Sequence, residues 1–327
     1  MTPSPRTSLR PPSWLSAQAP TAAIEIADGR VTVAEVGLGR DGVEVTAFAS
    51  EALPDGVITP TLGGSSIADT TAVAAAVRHA WLKAGVRPPK RAALVIPDAT
   101  ARVTLLTFEE LPVKAADVDQ LIRWQVRKAT PFPLEEAQVT YVVTHQEVGA
   151  TTVVAIVARQ DVIAEYEQVL TSMGTHPGIV DLASFCVVNS VLAGGAAPSG
   201  DWLLVTVARG STALAIIRAG ELMFYRHRLA VDDEPLGAFV HQTAMFHEDR
   251  LGGRKFARVW LSGGASVGDG VEGIGREISV RLGVEAEPVD VRVAVTLGDR
   301  ISAAPDVLDA LAAPVGVLLR EGRGARS

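Results

Sequence analysis

A short hairpin pattern written twice, 181 positions apart, constrains this 327-residue chain more than any other feature. The first copy reads Ile24-Glu25-Ile26-Ala27-Asp28-Gly29-Arg30-Val31-Thr32-Val33, the second Val205-Thr206-Val207-Ala208-Arg209-Gly210-Ser211-Thr212-Ala213-Leu214. In each, an alternating strand runs into a turn that ends in Gly, and a second alternating strand leaves it. Gly29 and Gly210 accept the positive φ that so tight a reversal demands. A third strand follows each hairpin at matching spacing. Taken singly, each copy is an ordinary β-turn. Two copies in one register read as a duplicated α/β architecture with a cleft between two lobes. The backbone N–H groups of two facing turns can cradle phosphate oxygens.

The chain divides accordingly. Residues 1–20 carry five prolines and several Ser and Thr, and read as a flexible tail without the apolar run of a signal peptide. Residues 21–98 form the first part of one lobe: a meander to Ala47, a helix over Asp69–Ala84 and a buried strand over Arg91–Ile96. The rhythm then changes to β-α-β-β over residues 99–175, with a strand at Val103–Phe108, a helix at Ala115–Ala129, strands at Ala137–Gln146 and Thr151–Ala158, and a helix at Gln160–Met173. This segment reads as a subdomain inserted into the first half. Residues 176–198 return to the first lobe, 199–320 form the second, and 321–327 are a polar tail. Helices near Asp306–Ala312 and Pro314–Arg320 close the second lobe, with Pro314 separating them.

The bulk numbers exclude several classes. Hydrophobic residues make up 48% of the chain and aromatics 5%, so the core is aliphatic. A net charge of −7 with no basic cluster argues against nucleic acid as a partner. No apolar run reaches the ~18 residues of a spanning helix. The single cysteine, Cys186, can form no intramolecular disulfide and suits a reducing compartment.

Chemistry is harder to find. Phosphoryl transfer needs a carboxylate for Mg²⁺ and a group that places the attacking oxygen. The residue ahead of the first turn is Glu25, and its counterpart in the second copy is the uncharged Thr206. If the site were built for Asp, the extra methylene of Glu25 would displace the carboxylate by about 1 Å, enough to cost about 10²-fold. His241 and His247 are six apart, off any common helical face, and no thiolate joins them, so no metal site is expected. No P-loop, Gly-x-Ser-x-Gly elbow or Gly-x-Gly-x-x-Gly after a strand is present. Ser262-Gly263-Gly264-Ala265 follows a strand and precedes a helix, a place where a nucleoside can approach backbone closely. Trp124, Pro131-Phe132-Pro133, Tyr141 and Phe185 stand out in a chain poor in aromatics. They read either as core or as an apolar groove on the inserted subdomain that receives a peptide.

These residues carry a family resemblance. The run Leu121-Ile122-Arg123-Trp124-Gln125-Val126-Arg127-Lys128-Ala129-Thr130-Pro131-Phe132-Pro133-Leu134-Glu135-Glu136, with Tyr141 beyond it, resembles the signature stretch of the type IV pilus assembly protein PilM family. Ile179-Val180-Asp181-Leu182-Ala183-Ser184-Phe185 is similar to another of its motifs, Leu261 to Ala265 to its adenosine-side motif, and Ala312 to Arg320 to its closing helix. The matches run from about residue 22 to 320.

The resemblance implies an actin-like fold, ribonuclease H-like and duplicated, related to the cell-division protein FtsA, with the insert between the two parts of the first lobe. It implies a cytoplasmic protein at the inner face of the inner membrane, peripheral to it through a partner. That partner is the N-terminal tail of a bitopic PilN-like protein, bound between the first lobe and the insert, and other pilus assembly proteins join it. Trp124, Pro131, Phe132, Pro133 and Tyr141 are the expected partner contacts. The resemblance also implies ATP in the cleft, at Glu25, Ala27, Asp28, Gly29, Asp181, Thr206, Arg209, Gly210, Ser211, Gly263, Gly264 and Ala265, with Mg²⁺ only if ATP binds. Where the family has Asp-Ile-Gly in its phosphate loops, this chain has Glu25-Ile26-Ala27 and Thr206-Val207-Ala208. The expectation is therefore a scaffold with a degenerate cleft, no catalytic residue and no metal. An active actin-like ATPase and a GspL-like component of type II secretion are the alternatives.

Overall fold

The computed structural model describes residues 19–147, 149–195, 199–230, 235–264 and 270–324. Alternating apolar residues build the first meander, β1 (Ala22–Ala27), β2 (Arg30–Gly39) and β3 (Gly42–Ala52). Strand β1, which lies between β2 and a further strand in the sheet, is buried on both faces, which is why Ala22-Ala23-Ile24 needs no polar alternation. After α1 (Thr70–Lys83), whose N-terminus is capped by the Asp69 carboxylate on the Ala72 N–H, comes β4 (Arg91–Ile96), parallel to β1.

Between β4 and β8 (His176–Leu182) lie β5 (Ala101–Phe108), α2 (Ala115–Arg127), β6 (Ala137–Glu147), β7 (Ala150–Arg159) and α3 (Gln160–Thr171). The strands β5-β7-β6 form a separate antiparallel sheet. The helix α3 does not pack on that sheet's α2-covered face. Its Val162, Tyr166 and Val169 join α1 in the core beneath the first lobe's sheet, so this last part of the expected insert belongs structurally to the lobe.

The second half repeats the plan: α4 (Ala183–Ala193), then the meander β9 (Trp202–Ala208), β10 (Ser211–Arg218) and β11 (Glu221–Leu229), then α5 (Leu236–Leu251), β12 (Arg258–Ser262), α6 (Gly270–Leu282) and β13 (Ala286–Pro288). As β1 pairs with β2 and β4, β9 pairs antiparallel with β10 and parallel with β12. The sheets run β14-β3-β2-β1-β4-β8 and β11-β10-β9-β12-β13.

The C-terminal stretch departs from the expected second lobe of 199–320. Strand β14 (Thr296–Leu297) pairs with β3, and helix α7 (Pro305–Gly324) packs against α4, β1, β2 and β4. The chain thus returns to the first lobe and covers the face of its sheet opposite α1, packed between that sheet and β9 and β10 of the second lobe. The two helices expected around Pro314 are one. Pro314 cannot donate to the Ala310 carbonyl, a defect that breaks an isolated helix. Here α7 is held along its length by burial: Leu311, Ala312, Val315 and Val317 lie in one core cluster with Cys186, Val187 and Val191 of α4. Packing overrides the local signal.

Candidate functional site

The two hairpin turns face each other across the interlobe cleft. Gly29 and Gly210 have φ of +80° and +74°. Arg209, in the second turn, extends over the first: its Cζ lies 3.0 Å from where a Cβ on Gly29 would sit. Its Nη1 then bonds Asp55 Oδ1 at 2.5 Å, tying residues 154 positions apart across the mouth. Both partners of this pair are solvated, so it contributes about 0–1 kcal/mol. Its geometric effect is larger, since a guanidinium lies over the loop expected to take phosphate.

Beneath it is a cavity of about 70 Å³ lined by Glu25, Asp28, Thr206, Arg209, Ser262 and Asp309, among others. Ala27, Ser211 and Gly263 also face it. Glu25 Oε2 and Thr206 Oγ1 are buried there without hydrogen-bond partners, Arg30 Nη2 standing 3.5 Å from the former. On the opposite wall Asp309 Oδ1 accepts the Gly263 N–H at 2.6 Å and the Ser262 hydroxyl at 3.2 Å. The backbone donor on the expected adenosine side is thus already engaged by a carboxylate from α7. Asp309, Asp55 and Asp98 were not singled out in the sequence. No spacing rule connects them to the hairpins, because α7 and the neighbouring loops arrive only by tertiary folding. Ala265 lies outside the described residues, and Gly264 packs against Val271 of α6.

Burial holds the Glu25 carboxyl above the usual carboxylate range; Arg30 opposes this, and Asp309 and Asp98 add to it. A group whose pKa is raised by folding stabilises the protein below its unfolded pKa, and that contribution is lost as pH rises through the folded value. Glu25→Gln is accordingly expected to raise Tm at about pH 8 and to lose that gain toward about pH 4, where the carboxyl is protonated in both states. Melting curves of both proteins across this range measure it. A gain that does not change with pH would assign the effect to packing instead.

Next to the cavity, Asp98 accepts the Ser184 N–H at 3.2 Å, the Ser184 hydroxyl at 2.5 Å and the Tyr225 hydroxyl at 3.0 Å. Tyr225 sits on β11 and stacks on Phe185 of α4, so this network joins the lobes. Burial pushes the Asp98 carboxyl up, against the bonds from Ser184 and the nearby His227. Burial lowers His227 in turn.

Asp181 is not in this cleft. It lies in a second concavity, a groove between the inserted sheet and the first lobe. Two cavities of about 230 and 380 Å³ run end to end there and share Val142, Val154, Ile156, Asp181 and Arg320. Arg320 Nη1 contacts Asp181 Oδ2 at 2.5 Å, bridging the groove at its middle. Burial raises the Asp181 carboxyl, and Arg320 opposes it. One wall is β6, an edge of the inserted sheet; the other is β8, an edge of the first lobe's sheet, continued by Phe185 and Leu192 of α4, and the second lobe's Ile217, Glu221 and Leu222 line the end beyond Val142.

Strand alternation decides which predicted contacts reach this groove. Ala137, Val139, Val153, Ala155 and Val157 point to α2 and pack on its Ile122 and Val126. Gln138, Thr140, Val142, Val154 and Ile156 point the other way, into the groove. Tyr141 reaches its rim. Trp124 stands exposed on α2, on the far side of the sheet. Phe132 packs into the α2 core with the Arg159 guanidinium over its ring, and Pro131 and Pro133 are exposed beside it. Phe132 and Tyr141 pack against the same α2 cluster, whereas Trp124 stands apart, exposed on α2.

Among the described residues no helix is long and apolar enough to cross a membrane, and no cluster of metal-ligating side chains occurs. A family model described as type IV pilus assembly protein PilM matches residues 23–231. No curated protein matches the chain by sequence. Among solved structures, the chain is similar to a PilM-PilN type IV pilus biogenesis complex, with 18% identity over 93% of this chain and 99% of that one and a TM-score of 0.78. It is also similar, at a TM-score of 0.47 and 10% identity, to a protein of Bacteroides thetaiotaomicron with an actin-like ATPase fold, covering 90% of this chain and 95% of that one. The cytoplasmic domain of EpsL, an inner membrane component of the type II secretion system of Vibrio cholerae, gives 0.49 at 8% identity, covering 94% and 95%. The first of these likenesses shows that the chain shares the fold of that PilM structure.

Proposed function

Since this chain belongs to the type IV pilus assembly protein PilM family, we propose that it is a scaffold of the pilus assembly machinery that holds the cytoplasmic N-terminal tail of a PilN-like protein. The observation that carries this reading is the groove. It has apolar side walls and is flanked by the outer edges of β6 and β8, which pair with no further strand among the described residues. An extended tail laid there gains main-chain hydrogen bonds from an edge and side-chain pockets from Val142, Val154 and Ile156. The relative solved as a PilM-PilN complex supports the choice of partner. Through that partner the protein would sit at the inner face of the inner membrane.

The interlobe cleft takes no part in this function. Mg-ATP needs a cavity within the ~300–1,000 Å³ of small-molecule sites, an ionised carboxylate for the metal and free backbone donors for the phosphates. Here the cavity holds about 70 Å³, burial raises the pKa of the Glu25 carboxyl, Thr206 is neutral, and the Gly263 N–H is taken by Asp309. Arg209 and Asp309 fill from within the chain the places that a nucleotide's counter-charges would need. The residues present do not fit the group, and no hydrolytic step is assigned to them.

Calorimetry with a synthetic PilN-like tail tests both statements. Binding is expected in the micromolar to tens of micromolar range, roughly −6 to −8 kcal/mol, with the same affinity with or without Mg-ATP. Absence of binding in that range overturns the scaffold reading, and tail binding that requires Mg-ATP overturns the reading of the cleft.

A further inference from the structure

A third concavity lies on the α7 side of the first lobe's sheet, apart from the groove and behind the cleft. It holds about 630 Å³, against about 70 Å³ in the cleft, and falls within the ~300–1,000 Å³ of small-molecule sites. Strand register builds its floor. Thr32 pairs with Ser50 and Ala34 with Phe48, and Ala34 and Phe48 belong to the core cluster that α7 completes. Strand β14 pairs with β3 only at Glu44 and Val45. The chain then turns through Arg300 and Ser302 into α7, so the concavity opens between the uncovered part of β3 and the first turns of that helix.

Three cations from three elements line it: Arg30 at the start of β2, Lys83 in the last turn of α1 and Arg300 in the loop after β14. Arg300 Nη1 lies 3.9 Å from where a Cβ on Gly85 would sit, which brings it to the end of α1 that carries Lys83. One carboxylate in the lining, Asp306, opposes them. Lys83 is 3.8 Å from Glu51, a solvated pair of small worth, and its Nζ donates to the Ser50 carbonyl at 3.1 Å. Arg300 forms no ion pair among the described residues. Arg30 stands 3.5 Å from Glu25 and lines the interlobe cavity as well. Such an excess of positive charge is gathered in a chain of net charge −7. The three cations repel one another, and an anion among them turns that repulsion into attraction. Phe48, Ile301 and Val307 supply an apolar wall beside them.

We propose that this concavity binds a small phosphorylated molecule, its phosphate held by Lys83 and Arg300 and its apolar body laid against Phe48 and Val307. Guanidinium and ammonium groups meet phosphate oxygens in charge-assisted hydrogen bonds, and the Arg fork takes two at once. Inorganic phosphate leaves the apolar wall uncovered, and an uncharged nucleoside leaves the cations unanswered. A nucleoside monophosphate satisfies both. The site draws on neither the tail groove nor the hairpin turns of the cleft.

Calorimetry on the full chain with AMP, adenosine and inorganic phosphate as probes tests this. AMP is expected to bind with Kd below about 1 mM, and adenosine and phosphate at least about tenfold more weakly. Arg300→Ala, at an exposed side chain, should weaken AMP by at least about tenfold with no change in the melting curve of the ligand-free protein. Lys83→Ala with Arg300→Ala should abolish it. Arg30 is left unaltered because it serves both cavities. Arg209→Ala, in the cleft, should change AMP affinity less than about twofold. Absence of AMP binding below about 1 mM overturns the proposal, as does adenosine or phosphate binding as tightly as AMP. A loss in Arg209→Ala equal to that in Arg300→Ala overturns it too and moves the nucleotide to the cleft. None of these outcomes alters the expected affinity for a PilN-like tail, so the two readings fail separately.

Discussion

Gly316→Ala is expected to lower the melting temperature by on the order of 10 °C. Helices α4 and α7 meet at this position without a side chain between them. A Cβ on Gly316 would stand inside the Cys186 carbonyl oxygen, and 2.8 Å from the Ser190 hydroxyl oxygen. The Ser190 hydroxyl already donates to the Ala312 carbonyl at 2.6 Å. A clash with backbone, unlike one with a flexible side-chain end, is relieved only by moving a helix. Cys186, Val187 and Val191 would then leave the core they share with α7, β1 and β4. Overpacking of this kind costs about 1–3 kcal/mol, and the added loss of the Ser190 bond brings the total to roughly 3–5 kcal/mol. Thermal melts followed by circular dichroism measure it. A shift below about 2 °C would mean that the helix pair slides apart at little cost.

Val142→Asp should weaken binding of a PilN-like tail by on the order of 100-fold, about 2.7 kcal/mol, while leaving the fold intact. Val142 is 56% exposed on an edge strand, so a carboxylate there is solvated in the free protein. In the complex it would be covered by an apolar segment with no cation supplied to it, and an unpaired buried charge is what proteins tolerate least. Arg320 lines the same groove but is already engaged by Asp181. Trp124→Ala supplies the control. Trp124 faces away from the groove across the inserted sheet, and its loss should change tail affinity less than about twofold. Calorimetry on the three proteins decides the matter. Equal losses for the two variants would move the binding surface to α2.

Much of this molecule was legible before folding. The repeated hairpin predicted two lobes in one register, and β1-β2 and β9-β10 have that register, with Glu25 and Thr206 at equivalent places on parallel partners β4 and β12. Local patterns also located the insert's strands to within a few residues, because alternation in a sheet with one covered face is a strong signal. The failures have a common cause. Pro314 marked a helix end by local chemistry, yet α7 continues because burial against α4 outweighs one lost hydrogen bond. Residues 290–320 follow the second lobe in sequence, yet β14 and α7 complete the first. Trp124 and Phe132 looked like groove residues because they are aromatic and adjacent in sequence. In the structure Phe132 packs in the α2 cluster and Trp124 stands exposed on α2, the helix that covers the face of the inserted sheet away from the groove.

The sequence by itself thus determined the repeat, the register of the two hairpins, and the unlike residues, Glu25 and Thr206, at the matching position of each. These depend on residues close together in the chain, where turn geometry and alternation act directly. Only the tertiary structure decided what fills the cleft and where the groove lies. Arg209 reaches Asp55 and Asp309 reaches Gly263 across 154 and 46 positions, and Asp181 meets Arg320 across 139. Charges so far apart in sequence have no periodic signature. Asp309 and Arg320 are placed by the packing of α7, and Arg209 by the approach of the two hairpin turns, consequences of the whole core rather than of any segment.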